Sequence, residues 1–286
     1  MDQQRNGTNR TGSMWQKLAA FGPVRVGAVI LLVIVALGAA APLIAPHEPY
    51  RMNPRMAYSP PSREYPFGAD QIGRCVLSRT LYGTRVSVSV TLASLLIALC
   101  IGIPVGLLSG YYKKLDYVIM RIIDVVMAFP GMMIAIAIVA TLGPGMWNVT
   151  IAVGISNSPQ FARLIRGAVL SLRESDFVKA AIASGSSDLR IMFRHILVNV
   201  IPSFIVFATV QTGWILLTIS SLGFLGLGAQ PPTPEWGALV SEGRIYLQRA
   251  PHMAIMPSLF IFATVLALNL LGDGMRDVLD PRLKNS

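Results

Sequence analysis

One acidic residue stands inside a mostly apolar stretch of this chain, and a charge in that position suggests chemistry. Asp124 lies in the run 118–142, where an ionisable side chain is costly and by default marks an ion-coupling or substrate-contact site. Arg121 is three residues earlier on the same helical face, so an internal ion pair or a helix-end anchor is the second interpretation. Gln211, in a later apolar run, either lines a path or bonds to a neighbouring helix.

The other reactive residue types are scattered. The histidines are His47, His195 and His252, and the two cysteines are Cys75 and Cys100, which gives neither the spacing of a zinc site nor a disulfide framework. The sequence contains no phosphate-binding Gly-x4-Gly-Lys-Ser/Thr loop and no His-Glu-x-x-His metal motif. We therefore predict no catalytic, metal-binding or cofactor-binding residue in this chain.

Long apolar runs dominate the sequence and set its fold class. Of the 286 residues, 53% are hydrophobic and 13% are charged, whereas a soluble domain carries about 25% charged residues. Runs of ~20 apolar residues are long enough to cross a hydrocarbon core. We therefore predict an all-α, polytopic membrane protein with about six transmembrane helices. The predicted spans are 24–45, 87–109, 118–142, 147–169, 197–222 and 253–274.

The basic residues indicate topology rather than nucleic-acid binding. With the amino terminus inside, 16 of the 24 lysines and arginines lie on the inner side, as the positive-inside rule requires. An even number of spans places both termini in the cytoplasm. The net charge of +10 flanks the apolar runs and forms no aromatic-interleaved patch, so we expect no nucleic-acid partner. The predicted divisions are a cytoplasmic segment 1–23, the first span 24–45, an extracytoplasmic segment 46–86, a five-span core 87–274 with an inner loop 170–196, and a cytoplasmic tail 275–286.

Small residues and prolines predict how some of these helices pack and bend. Gly102, Gly106 and Gly110 recur at every fourth position of the second span and form a stripe that lets another backbone approach closely. Its partner is either a second subunit or a helix of the same chain. Pro104 and Pro130 each remove a backbone hydrogen bond, which predicts a kink in the second and in the third span.

The inner loop has the features of a short helix between two spans. Ser171 and Glu174 fit a capping box at a helix start, and Gly185 suits the left-handed conformation that follows a helix end. One face of this helix is small-sided with a single aromatic anchor, which favours docking into a groove of a soluble partner. A solvated hairpin without a partner is the alternative. The residues of that face are Phe177, Ala180, Ala181 and Ser184.

A glycine-rich segment follows the fifth span. Gly223, Gly226 and Gly228 do not have the spacing of a dinucleotide-binding loop and follow a membrane span rather than a strand. We interpret the segment as a turn at the outer face, with a short helix at 238–248 lying on that surface. Trp236 is expected near the outer membrane interface, where aromatic side chains concentrate.

The inner loop resembles the Glu-Ala-Ala loop of ABC importer permeases. Ala180, Ala181 and Gly185 match that pattern, whereas Lys179 stands where the pattern has glutamate and Val198 where it has proline. The resemblance therefore extends to the turn at Gly185 but not to a contact through the missing carboxylate.

Three further segments make the resemblance specific. Residues 67–79, 221–237 and 269–281 resemble the second, C-type permease subunit of dipeptide, oligopeptide and nickel importers, and the likeness covers about residues 65–284. It implies the type I ABC importer permease architecture in a bacterial inner membrane. Its implied partners are a second homologous permease, two cytoplasmic ATPases that bind the ATP and magnesium, and an extracytoplasmic binding protein. The loop at 171–198 would dock on an ATPase through the surface formed by Phe177, Lys179, Ala180, Ala181, Ser184 and Gly185.

Two other classes of protein compete with the importer hypothesis. A carrier driven by an ion gradient needs ionisable groups deep in its spans and usually an internal repeat, but only Asp124 is present and no repeat is clear. An intramembrane enzyme needs a catalytic constellation that the sequence lacks. Within the importer hypothesis, we expect dipeptides, longer peptides or glutathione as substrates, and nickel or another small solute is the alternative.

Overall fold

The computed structural model describes residues 21–279. Most of the predicted segment 1–23 and the end of the predicted tail 275–286 lie outside this range. The described chain is built from helices joined by short turns and one longer outer segment. The helices are α1 (Gly22–Ala39), α2 (Ala41–Ile44), α3 (Val76–Tyr111), α4 (Lys113–Met127), α5 (Gly131–Leu142), α6 (Met146–Arg173), α7 (Asp176–Ala183), α8 (Asp188–Arg190), α9 (Val198–Phe224), α10 (Trp236–Arg244) and α11 (His252–Leu279).

Length and composition mark four helices as membrane spans. They are α1, α3, the continuous helical stretch Asp188–Phe224, and α11. A fifth span is the pair α4 and α5, which together are apolar enough but are bent by 88°. Helix α6, which covers the predicted fourth span, is long but more polar, because it carries residues such as Asn157, Gln160 and Arg163.

The glycine stripe of α3 lies against α6 of the same chain. A Cβ built on Gly102 would lie 2.6 Å from Phe161, and one on Gly110 would lie 2.6 Å from Val169. Residue numbers rise together along both helices, so α6 runs parallel to α3 and shares its depth. This contact pairs the more polar helix α6 with the apolar helix α3, so the stripe serves a contact within one chain.

Other helix pairs run antiparallel. Gly213 on α9 lies beside Leu268 on α11, and further along Gly272 on α11 lies beside Val210 on α9. Helix α1 passes α11 in the same antiparallel way. Helices α1 and α9 therefore run in one direction and α11 in the opposite one, while α3 and α6 share a direction.

The two prolines act differently. Pro130 separates α4 from α5 and stands as the N-cap of α5, so the predicted kink is a complete break. Pro104 stays inside the uninterrupted helix α3. Helix α3 also begins at Val76, before the predicted span boundary at 87, because Arg79 and Arg85 do not end the helix. The Arg79 side chain is 2% exposed and ion-paired, so its charge is compatible with a buried helix.

The end of the helix bundle that the sequence predicts to be outer carries the segment that precedes α3 and the helix α10. Trp236 at the start of α10 is fully buried, and its indole nitrogen donates a hydrogen bond to the Thr80 carbonyl at 3.1 Å. Trp236 therefore packs inside the protein and does not face lipid, as a side chain of an aromatic belt would. The short outer helix was expected at 238–248, and in the structure it spans Trp236–Arg244, so it begins two residues earlier and ends four residues earlier than predicted.

Candidate functional site

The inner loop contains a helix of two turns, α7, whose start differs from the predicted one. The capping box at Ser171 and Glu174 does not form, because α6 continues through Ser171 to Arg173. Ser175 is the N-cap of α7, and Asp176 places a negative charge in its first turn. An acid there is favourable because the N-terminal end of a helix carries partial positive charge.

The end of α7 forms the turn expected at Gly185. The Gly185 amide donates to the Ile182 carbonyl at 2.9 Å, and the Ser186 amide donates to the Ala181 carbonyl at 3.0 Å. This pair of bonds is a Schellman motif, and it requires a left-handed residue at Gly185, whose φ is 75°. The chain thereby reverses and enters α8.

The two faces of α7 have different surroundings. Val178 is completely buried and Ala181 is 8% exposed, and both pack in a cluster with Leu107 of α3 and with Ile165 and Val169 of α6. The predicted docking face therefore loses Ala181, because helical spacing places it beside Val178 on the inward side. The outward side carries Phe177, Lys179, Ala180, Ser184 and Gly185.

A second contact fastens the loop to the end of α3. The hydroxyls of Tyr111 and Tyr112 each donate a 2.8 Å hydrogen bond to one carboxylate oxygen of Asp188. The bond to Asp188 raises the pKa of the Tyr112 hydroxyl above its ordinary value, because it stabilises the protonated phenol. The sequence analysis missed this contact. The adjacent tyrosines directly after the glycine stripe were the available signal.

The loop continues into α9 through a π-helix, Ile191–Leu197. Ile191, Met192 and Ile196 of this segment are buried in the same cluster as Val178. The sequence analysis did not anticipate this segment. π-Helical turns are rare and often occur at functional sites. The loop is thus joined to α3 and α6 by packing and to α9 by continuous helix.

Asp124 does not pair with Arg121. Its Oδ1 accepts a 2.7 Å hydrogen bond from Arg163 on α6, and the side chains of Asp124 and Arg163 are 59% and 46% exposed. One helical turn along α6, Arg166 pairs with Asp116 at 2.5 Å. Both pairs join α4 to α6, and the exposed one contributes little to stability. Asp124 is not among the residues lining the cavity described next.

Gln211 lies in a polar cavity of about 520 Å³ at the break between α4 and α5. The cavity is lined by Pro130 and Gly131 at the break and by side chains of α6 and α9. Gln211 is 8% exposed and its amide donates a hydrogen bond to Gln160 across from it. Other lining side chains are Asn157, Trp214, Thr218 and Ser221.

A buried ion network ties the outer segment to α10. Asp70 accepts from Arg74 at 2.6 Å and from Arg79 at 2.8 Å, and Glu242 on α10 lies 3.0 Å and 2.8 Å from the same two arginines. Two cations and two anions therefore balance in a site with little solvent.

Glu235 stands nearby in the chain as the N-cap of α10 and is 1% exposed. Burial raises the pKa of the Glu235 carboxyl, although its hydrogen bonds from two backbone amides and Ser87 oppose the rise.

The sequence profile of a known family matches most of the chain. The family described as "Binding-protein-dependent transport system inner membrane component" matches residues 102–285, and the "N-terminal TM domain of oligopeptide transport permease C" matches residues 11–61. In fold, the chain is similar to a chain of the inward-facing MetNI methionine ABC transporter, with a TM-score of 0.59 at 17% identity, over 71% of this chain and 97% of that one.

Relatives of known function match nearly the whole chain. The glutathione transport system permease protein GsiD of Pectobacterium atrosepticum is 45% identical over 95% of this chain and 91% of its own length. The dipeptide transport system permease protein DppC of Alkalihalophilus pseudofirmus is 43% identical over 91% of this chain and 86% of its own length. The chain therefore belongs to the family of binding-protein-dependent transport system inner membrane components, and it is a multi-pass permease subunit of an ABC importer.

Proposed function

We propose that this permease carries peptides, among them dipeptides and glutathione, and that it forms half of their path across the membrane. Membership of the family implies ATPase and substrate-binding partners. The names of relatives at 45% and 43% identity support the peptide class of substrate. We infer that a second, homologous permease completes the path as a heterodimer.

The observation that carries the coupling role is the two-sided helix α7. Its inward side, Val178 and Ala181, packs on α3 and α6, while Phe177 stays 42% exposed on the other side. An exposed aromatic beside small residues suits insertion into a groove of a partner protein. A force on the outward face reaches the spans directly, because the inward face is part of their core. We therefore assign the docking of an ATPase to this face.

In this proposal the chain itself is not an enzyme. The partner ATPases bind ATP and magnesium, and closure of their dimer supplies the differential affinity that shifts the permease between two states. Both termini and the α7 loop lie in the cytoplasm. The outer segment and α10 then face the substrate-binding protein.

The test is ATP-dependent uptake by proteoliposomes that contain this chain, its partner permease and its ATPases, with the binding protein added outside. Labelled glutathione and a labelled dipeptide are compared with nickel. Uptake of the peptides that stops when the ATPases or ATP are omitted supports the proposal. Uptake of nickel alone, or of peptide by this chain without ATPases under an ion gradient, contradicts it.

A further inference from the structure

We propose that the paired amides of Gln160 and Gln211 recognise one peptide group of the passing solute. This inference deepens the proposed peptide import and rests on it. It assigns a binding function to two neutral side chains, and it names the backbone amide of the solute, rather than its charges, as the group that this chain recognises.

The position of the pair is that of a site within the path. Gln160 is close to the middle of α6 (Met146–Arg173), and Gln211 is at the middle of α9 (Val198–Phe224). The cavity that they line lies beside the break at Pro130, where α4 and α5 meet. Interrupted helices at mid-membrane are tolerated where the backbone is buried in protein or lines a water-filled cavity. The two glutamines therefore lie at the depth where a solute must pass.

The chemistry of the pair leaves one amide nitrogen and one amide oxygen without a partner. Each glutamine has an amide nitrogen that donates and an oxygen that accepts. One bond, from Nε2 of Gln211 to Oε1 of Gln160, joins them. Among the described residues, Nε2 of Gln160 and Oε1 of Gln211 have no hydrogen-bond partner. Whichever of the two amides donates within the pair, the amide nitrogen of one glutamine and the amide oxygen of the other remain without a partner, which is the complement of a peptide carbonyl and a peptide N–H.

The surroundings favour recognition of the backbone over recognition of charge. All residues lining this cavity are uncharged. Trp214, one turn from Gln211, is 61% exposed, so its flat face is available to a planar peptide group. A path has to bind its solute weakly enough to release it, and neutral hydrogen bonds meet this requirement better than buried ion pairs. Such a site accepts peptides of differing side chain and net charge.

The experiment compares two substrates that differ in one group. Dialanine has a peptide N–H, whereas its ester analogue alanyl-lactate has an oxygen in that place and keeps the carbonyl. Initial uptake rates are measured in proteoliposomes that contain the whole importer, at saturating loaded binding protein, so that affinity for the binding protein does not affect the comparison. For the wild type we expect dialanine to be carried about three- to tenfold faster, the effect of one lost hydrogen bond.

The variants connect this selectivity to the two side chains. The double change Gln160→Leu with Gln211→Leu, which removes both the free donor and the free acceptor, should carry both substrates at equal, reduced rates, while the binding protein still stimulates ATP hydrolysis. Thr209→Val is the matched control on α9, because the Thr209 hydroxyl bonds only to the Ile205 carbonyl of its own helix. It should keep the wild-type preference.

The outcomes separate the two proposals. Equal rates for amide and ester in the wild type overturn the inference without any variant, so a variant that fails to fold does not remove the test. A double variant that keeps the wild-type preference for the amide also overturns it. If the wild-type importer carries neither dialanine nor glutathione, the proposed function itself is wrong.

Discussion

The hydroxyl of Tyr112 lies 2.8 Å from Oδ2 of Asp188, so the end of α3 holds the start of α8 directly. Tyr111 occupies the other carboxylate oxygen at the same distance. The glycine stripe on the same helix, α3, packs against α6. The inner loop therefore contacts α3 at two places, the tyrosine contact and the cluster around Val178.

Removing both hydroxyls should loosen this connection. With Tyr111→Phe and Tyr112→Phe, we expect several-fold faster amide hydrogen exchange around Asp188 and less transport for each ATP hydrolysed, because Asp188 loses both bonds. Tyr117→Phe is the control, since Tyr117 is 75% exposed on α4. Unchanged exchange and an unchanged ratio of transport to hydrolysis in the double variant would show that the contact has no role in coupling.

The turn after α7 should depend on backbone conformation rather than on space. A Cβ on Gly185 meets nothing within 4 Å, but its φ of 75° is strained for most residues. Gly185→Ala should cost about 1 kcal/mol of local stability and weaken ATPase co-purification, whereas Gly185→Asn should cost less, since Asn tolerates the left-handed region. The measurement is ATPase capture by the tagged importer. Equal capture by both variants and the wild type would contradict this account of the loop.

The stripe on α3 should be intolerant of a single methyl group. A Cβ on Gly106 would lie 2.6 Å from the Ala162 carbonyl oxygen, a backbone atom, so Gly106→Ala should destabilise the permease by about 1–3 kcal/mol. Gly167→Ala on α6 is the control, because a Cβ there meets nothing within 4 Å, and helix propensity favours the change by about 1 kcal/mol. The measurement is thermal unfolding in detergent. We expect a lower melting temperature than the wild type for Gly106→Ala, and an equal or higher one for Gly167→Ala.

The outer ion network should be sensitive to loss of one charge. Asp70→Asn leaves Arg74 and Arg79 with one carboxylate between them in a buried site, and breaking such pairs costs about 3–5 kcal/mol. Glu48→Gln, at an exposed position of the same outer segment, is the control and should be neutral. Denaturation of the purified importer measures both. Comparable stability of the two variants would show that the network is not important for folding.

The pH dependence of stability should include a contribution from Glu235. Burial raises the pKa of its carboxyl in the folded protein, so the folded state binds this proton more tightly than the unfolded state. This contribution is greatest below the unfolded pKa and is lost as the pH rises from there through the folded pKa. Glu235→Gln should remove it. The melting temperatures of wild type and variant are compared from pH 4 upward. As the pH rises, we expect the melting temperature of the wild type to fall relative to that of Glu235→Gln.

Several conclusions followed from the sequence alone because they depend on composition and local chemistry. Apolar length and the distribution of arginine and lysine indicated a polytopic helical protein, and the spacing around Ala180 and Gly185 indicated the family. The turn at Gly185 was predictable because a left-handed helix end favours glycine whatever surrounds it. The break at Pro130 was located correctly, but its angle of 88° was not, since the neighbouring helices set the direction of the second half.

Only the tertiary structure decided which residues meet. Asp124 had a local candidate in Arg121, yet Arg163 on another helix takes its place, because a helix face does not reveal what packs against it. Ala181 proved to be inward and Trp236 buried for the same reason. The pairing of Gln160 with Gln211 joins residues of different helices. Sequence thus determined the elements and the turns between them, whereas long-range packing determined the partners of each polar side chain, because those contacts depend on how the helices are arranged in three dimensions.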